Sequence, residues 1–402
     1  DVEVNFDGIT YAKGASVLKQ LAAWVGQDEF FAGVAEYFRK HHHSNTTLKD
    51  LLVELEATSG RDLTAWSEVW LEKAGITTLR PDTAVDAHED IAAFAVVQEV
   101  PEEWPTQRPH RLGIGGSDVV VDEHGDARLE RSLYVEVDVR GERTAIPDLV
   151  GKHRPALILV NDQDLAYAKV RLDEQSLATA VEHVASFADP LARSMVLTAA
   201  WDMTRDGEMP ARQFVDMVLG TIGRESESTT VLVLLRQLAT ALALYVHPDH
   251  AEETAEHAAE TLWKLALEAE PGSDTQFQLA RAFASFARTE TQLDNIQGLL
   301  DHKLHLEGLE IDTDLSWDLL IGLVVGGRAD EIAIELQLGR DATASGERRA
   351  AHARAALPTA AGKSAAWDAL VNAEEDMPNA LQFEATAGFR HVHDPALLEP
   401  FV

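Results

Sequence analysis

Cysteine is absent from the 402-residue sequence. No disulfide framework, thiolate zinc site or thiol nucleophile can be built without it. No run of about 18 or more apolar residues occurs, so no helix is expected to span a bilayer. No signal peptide is visible. Positive charge is scarce: 34 Lys and Arg stand against 68 Asp and Glu, a formal net charge of −34. Phosphate backbones and anionic membranes would be repelled, which argues against nucleic acid and membrane as partners. The acids are spread along the chain, as in a solubilising surface, and not gathered in a tail.

What is there supports folded cores, since 46% of residues are hydrophobic. The length suggests two or three domains. Residues 1–80 read as helical. In the opening stretch, Tyr11, Ala15, Leu18, Ala22 and Val25 fall at helical spacing. The next helix is expected to bury Phe30, Phe31, Val34 and Tyr37 or Phe38. Thr46 or Thr47 is an N-cap candidate, Gly60 a C-cap and Asp62 a second N-cap. Leu63, Trp66 and Trp70 then share a face, and Pro81 is expected to close the region.

Over 81–173 the period changes to two. "SLYVEVDVRG" alternates apolar Leu133, Val135, Val137 and Val139 with Tyr134, Glu136, Asp138 and Arg140. "VVVDEHGDARLE" reads as strand, turn and strand, and "GIGGSD" at 113–118 as a glycine-rich turn. "IAAFAVVQEV" and "ALILVNDQDLAYAKVRLD" add strands, and a small antiparallel β-sandwich fits them. From 174 to 402 helices follow one another with short joints, which predicts a curved α-helical solenoid.

Few motifs carry chemistry on their own. Gly362-Lys363-Ser364 ends like a phosphate-binding loop, but Leu357 stands where such a loop needs its first glycine, so nucleotide binding is rejected. His41, His42 and His43 suit a helix C-terminus. The pairs His247/His250 and His302/His305 lack a third ligand, and His391 with His393 shows no metal spacing. His88-Glu89 is the one His-Glu dipeptide and opens no H-E-x-x-H motif. Trp66, Trp70 and Trp201 read as core aromatics. On periodicity alone Tyr11 also reads as core.

Residues 7–79 nevertheless resemble the aminopeptidase N family of zinc metallopeptidases, in the part of the catalytic domain that follows the zinc site. The pattern Y-x-K-G-x-x-V-L is met by Tyr11, Lys13, Gly14, Val17 and Leu18. His42 or His41 with Asn45, then Ser59, Gly60, Asp62 and Leu63, then Trp66, Trp70, Leu71 and Gly75 continue it in order. "LILVNDQDLAYAKVRLD" resembles the end of the family's β-sandwich, and "DPLARSMVLTAAWDMTRDGEM" the start of its helical domain.

The resemblance implies a mainly α multidomain chain. Residues 1–80 would be the helical end of a thermolysin-like catalytic domain, 81–173 a β-sandwich and 174–402 a HEAT/armadillo-like solenoid. It implies that the chain begins mid-domain, with the family's zinc ligands and G-x-M-E-N loop upstream. The zinc would then belong to the longer parent, with none bound here and no activity alone. It assigns Tyr11 as catalytic, its phenol donating a hydrogen bond to the carbonyl oxygen that turns negative during peptide hydrolysis. The expected whole is a cytoplasmic, monomeric aminopeptidase acting on peptide substrates. The alternative is a non-enzymatic helical scaffold that binds peptides or proteins.

Overall fold

The computed structural model describes residues 8–225, 227–372 and 377–402. The chain forms two compact units, Asp1–Met217 and Val218–Val402.

The first unit begins with a π-helical turn, Ile9–Lys13, that runs into α1 (Gly14–Val25). Then come α2 (Gln27–His41), α3 (Leu48–Ser59) and α4 (Leu63–Leu71). The caps follow side-chain chemistry. Thr47 and Asp50 form a capping box, Gly60 ends α3 in the left-handed region at φ 67°, and Asp62 accepts from the Ala65 N–H. These helices close one apolar core on Val17, Leu21, Trp24, Leu55, Trp66 and Trp70.

Two expected faces are corrected. In α1 the buried stripe is Val17, Gln20, Leu21, Trp24 and Val25, while Tyr11 is 60% and Leu18 52% exposed. The rotation follows the core, where Val17, Leu21, Trp24 and Val25 pack with Leu55, Trp66 and Trp70, and the Arg61 (4.2 Å) and Arg140 (4.7 Å) guanidinium groups cover the Trp24 ring. In α2 Phe30 and Val34 pack on the core, whereas Phe31 and Phe38 point outward at 62% and 65% exposure.

Seven strands follow: β1 (Thr78–Val85), β2 (Ile91–Glu99), β3 (His110–Val121), β4 (Ala127–Val139), β5 (Arg143–Ala145), β6 (Leu157–Asp162) and β7 (Lys169–Val170). They form a four-stranded sheet, β5-β2-β1-β7, and a three-stranded sheet, β4-β3-β6. All pairings are antiparallel except β1 with β7. The alternation of Leu133 to Val139 is seen in β4.

Pro81 does not end the helical region. It sits within β1 opposite Val96, where β7, paired only to Thr78 and Leu79, no longer covers that edge. A proline is tolerated there because its missing N–H deprives no neighbour. "GIGGSD" is likewise no turn: it is the middle of β3, flanked on both sides by strands. A side chain at Gly115 would overlap the Asp162 carboxylate, and one at Gly116 the Pro155 ring. The glycines serve close approach and bulging of a central strand.

Helices α5 (Glu174–His183), α6 (Pro190–Arg205) and α7 (Ala211–Ile222) follow the sheets, and the boundary between units falls within α7. Trp201 packs against Phe214 at 5.2 Å and is only half-buried.

The second unit contains α8 (Ser228–Leu244), α9 (Pro248–Glu268), α10 (Asp274–Phe286), α11 (Glu290–Leu300), α12 (Thr313–Val325), α13 (Glu331–Arg340), α14 (Ala344–Ala356), α15 (Ala360–Trp367) and α16 (Asn379–Arg390). Helices two apart in sequence pack side by side: α8 on α10, α10 on α12, α12 on α14 and α14 on α16. Neighbours in sequence form the second set of contacts. In α12 the sequence "LSWDLLIGLVV" is apolar nearly all round, which suits a helix covered on every side. Its Trp317 Nε1–H donates to the Asp341 carboxylate at 2.9 Å.

Candidate functional site

Tyr11 lies in the turn that leads into α1, on the exposed side of that helix. The core reading drawn from periodicity is therefore replaced: the phenol is presented outward, from a helix whose other face is anchored. Two lysines, one just before α1 and one midway along it, face the segment after β6. Lys13 Nζ stands 5.9 Å from the Tyr167 ring centroid, and Lys19 pairs with Asp164 at 3.2 Å. That segment is itself tightly specified. Asn161, Gln163 and Asp164 have φ of 65°, 75° and 52°. The Asn161 amide donates to the Ala166 carbonyl at 2.9 Å and accepts from its N–H at 2.7 Å. Asn and Asp tolerate the left-handed region because their short polar side chains bond locally.

The histidine candidates stay apart. His41 closes α2, and His42 Nδ1 lies 3.0 Å from the Arg39 carbonyl. His247 caps α9, accepting from the Asp249 N–H, and His250 pairs with Glu253 at 2.8 Å. Among the described residues no three His, Asp or Glu side chains converge as a metal-binding group. The side chains present do not fit the zinc ion that the resemblance implies. Lys363 is buried and donates to the Ala355 and Phe389 carbonyls, at 2.7 and 3.0 Å. It ties the ends of α14 and α16 together, favourably placed at two negative helix termini.

Other polar groups escaped the sequence reading. Arg108 is 3% exposed and reaches from the segment just before β3 to the end of α4. Its guanidinium donates to the carbonyls of Val69 (2.9 Å), Lys73 (2.8 Å) and Ala74 (3.0 Å). Beside it, His110 is wholly buried, bonded to Thr77 Oγ1 at 3.1 Å and edge-on to Trp70. Burial, then the nearby Arg108 charge, push its pKa down to about 3. The unfolded chain takes up this proton below about pH 6.5 while the native state refuses it. Stability conferred by neutral His110 is thus whole above pH 6.5 and drains as pH falls toward 3. We expect a loss of about 1.4 kcal/mol per pH unit over that window. Urea denaturation at pH 7 and 4.5 should show it, with a shallower pH dependence in His110→Gln. Equal pH dependence in both proteins would contradict the assignment. His391 and His393, which show no metal spacing in the sequence, are both largely buried. In the second unit burial lowers both to about 4, and His391 Nδ1 lies 3.4 Å from His352 Nε2.

Comparison with known proteins places these features. The peptidase family M1 domain matches residues 1–70, and the ERAP1-like C-terminal domain matches residues 157–402. Aminopeptidase N of Streptomyces lividans is 49% identical over 412 residues, covering 100% of this chain and 47% of that protein. Aminopeptidase 2 of Candida albicans is 36% identical over 80 residues, covering 19% of this chain and 9% of that protein. The crystal structure of Legionella pneumophila aminopeptidase A in complex with aspartic acid shares the fold. It gives a TM-score of 0.54 at 12% identity, over 98% of this chain and 49% of that one. The chain spans about half the length of its Streptomyces relative. With one family domain matched at each end and nearly half of all positions identical between them, the chain belongs to the aminopeptidase N family of M1 peptidases.

Proposed function

We propose that this chain is the part of a zinc-dependent aminopeptidase that follows the metal site, and that the whole enzyme removes N-terminal residues from peptides. The observation that carries the reading is the Tyr11-Ala12-Lys13-Gly14 motif, at the exposed start of an anchored helix, in a chain related throughout to aminopeptidase N. Tyr11 is assigned as the donor to the oxygen that gains charge in the transition state. A phenol suits this role because it keeps its proton at neutral pH and α1 holds it in place. The anchoring of α1 through its buried Val17, Leu21 and Trp24 supports the assignment, since an oxyanion donor works only when it is held before the reaction starts.

The same reading divides the chain into a catalytic-domain tail at 1–80, a β-sandwich at 81–173 built from the two sheets, and a solenoid at 174–402. It places the enzyme in the cytoplasm as a monomer. The zinc ligands belong to the longer polypeptide, so the chain alone should not turn over substrate. The test is hydrolysis of L-leucyl- and L-alanyl-4-nitroanilide by the longer polypeptide that carries this chain. Turnover should be lost on chelation and regained with zinc, and residues 1–402 alone should be inactive. A longer polypeptide that is loaded with zinc yet inert would overturn the reading in favour of a peptide-binding scaffold.

A further inference from the structure

The second unit holds a cavity of about 310 Å³, at the small end of ligand pockets. Helices α8, α10, α12 and α14 each give it one face, and His391 adds to it from beyond α16. One part of the wall is apolar, formed by Leu235, Ala239, Ala282, Phe286 and Ile321. The polar part carries three guanidinium groups, Arg236, Arg281 and Arg349, against a single carboxylate, Asp318. The chain as a whole has two acids for every base, so the cavity inverts the average charge.

The arginines are not used up. Arg281 donates through Nε to one Asp318 oxygen, and Arg349 donates to the other at 2.9 Å. Each guanidinium has five N–H donors, so most remain for a ligand. Arg236 is exposed and forms no ion pair among the described residues. The two lining histidines contribute no charge at neutral pH. They share a contact with each other, and His352 Nδ1 faces Glu384 at 3.3 Å. Burial lowers the pKa of both. Gln278 lies one turn before Arg281 on α10. Its Nε2 is held by Ser228 Oγ at 2.7 Å, while its Oε1 is buried with no partner. That oxygen is closed off from the cavity and out of a ligand's reach.

A surplus of guanidinium donors beside an apolar wall defines a ligand. We propose that this cavity binds a small organic acid that joins a carboxylate to an apolar side chain, of the size of a free α-amino acid or α-hydroxy acid. The carboxylate meets the arginines, whose planar fork matches it. The side chain lies on Leu235 and Ile321. A divalent cation is disfavoured by the same three arginines. The site is independent of the peptidase reading, because its occupancy is measured without turnover.

Isothermal titration of this chain with L-leucine, (S)-2-hydroxyisocaproate and L-leucinamide tests it. At least one of the two acids should bind at least about tenfold tighter than the amide, which lacks the carboxylate. Binding of only one acid supports the site and identifies which source fills it. Arg236→Gln, at an exposed position with no ion pair to break, should weaken that binding about tenfold with an unchanged melting temperature. Ala282→Phe, which fills the cavity, should abolish it. The proposal is overturned if neither acid binds at about 10 mM, if leucinamide binds as well as the acids, or if Arg236→Gln leaves affinity unchanged.

Discussion

Replacing Tyr11 by Phe in the zinc-loaded longer enzyme is expected to lower kcat for peptide and arylamide substrates by about 10²–10³-fold. The size follows from what is removed. A single preorganised donor to a developing oxyanion acts where water is excluded, and no other group takes its place at the moment of reaction. The substitution deletes one oxygen from a side chain that is 60% exposed and outside the first unit's core. Stability should therefore change by less than about 0.5 kcal/mol. KM should move little, because the interaction is made in the transition state and not in the ground state. Steady-state kinetics with metal content measured on the same samples checks this. A variant with full zinc and near-normal kcat would remove Tyr11 from the mechanism.

The largest effect on stability is expected from Arg108→Met. Methionine preserves much of the buried stem but removes every donor that holds the Val69, Lys73 and Ala74 carbonyls. Those carbonyls close the C-terminal side of α4, which carries Trp66 and Trp70. The loss of three charge-assisted hydrogen bonds from a guanidinium that is itself buried argues for a large cost. Relief from burying a guanidinium without a carboxylate partner argues the other way, and that burial already lowers the Arg108 pKa. The carbonyls outnumber the single charge, so a net loss of about 2–4 kcal/mol is expected. Urea denaturation measures it. A change below about 0.5 kcal/mol would show that these bonds only offset their desolvation.

Local chemistry was legible in the sequence wherever a residue acts on its own neighbours. Thr47, Gly60 and Asp62 cap the helices expected of them, and the Leu133–Val139 alternation falls in a strand. Readings failed where a distant partner decides. Tyr11 and Leu18 share helical spacing with Ala15 and Ala22, but Val17, Leu21 and Trp24 pack against Leu55, Trp66 and Trp70 and turn the other stripe out. The glycines of β3 look like a turn until Asp162 and Pro155 are brought against them. Pro81 looks like a stop until the short β7 leaves its edge open. The cavity could not be read at all. Arg236, Arg281, Asp318, Arg349 and His391 meet only because alternate helices pack side by side, and no spacing in the chain announces that. Tyr11 was legible as a candidate only through the resemblance of its motif.

The proposed stabilisation of the transition state by Tyr11 is tested most directly by the affinity of a tetrahedral phosphinic peptide, a transition-state analogue, for wild type and Tyr11→Phe. If Tyr11 is the oxyanion donor, Ki should rise in step with the fall in kcat/KM, while KM for the matching substrate stays nearly constant. If the analogue binds both proteins equally while kcat falls, Tyr11 does not contact the developing oxyanion, and the assignment is wrong.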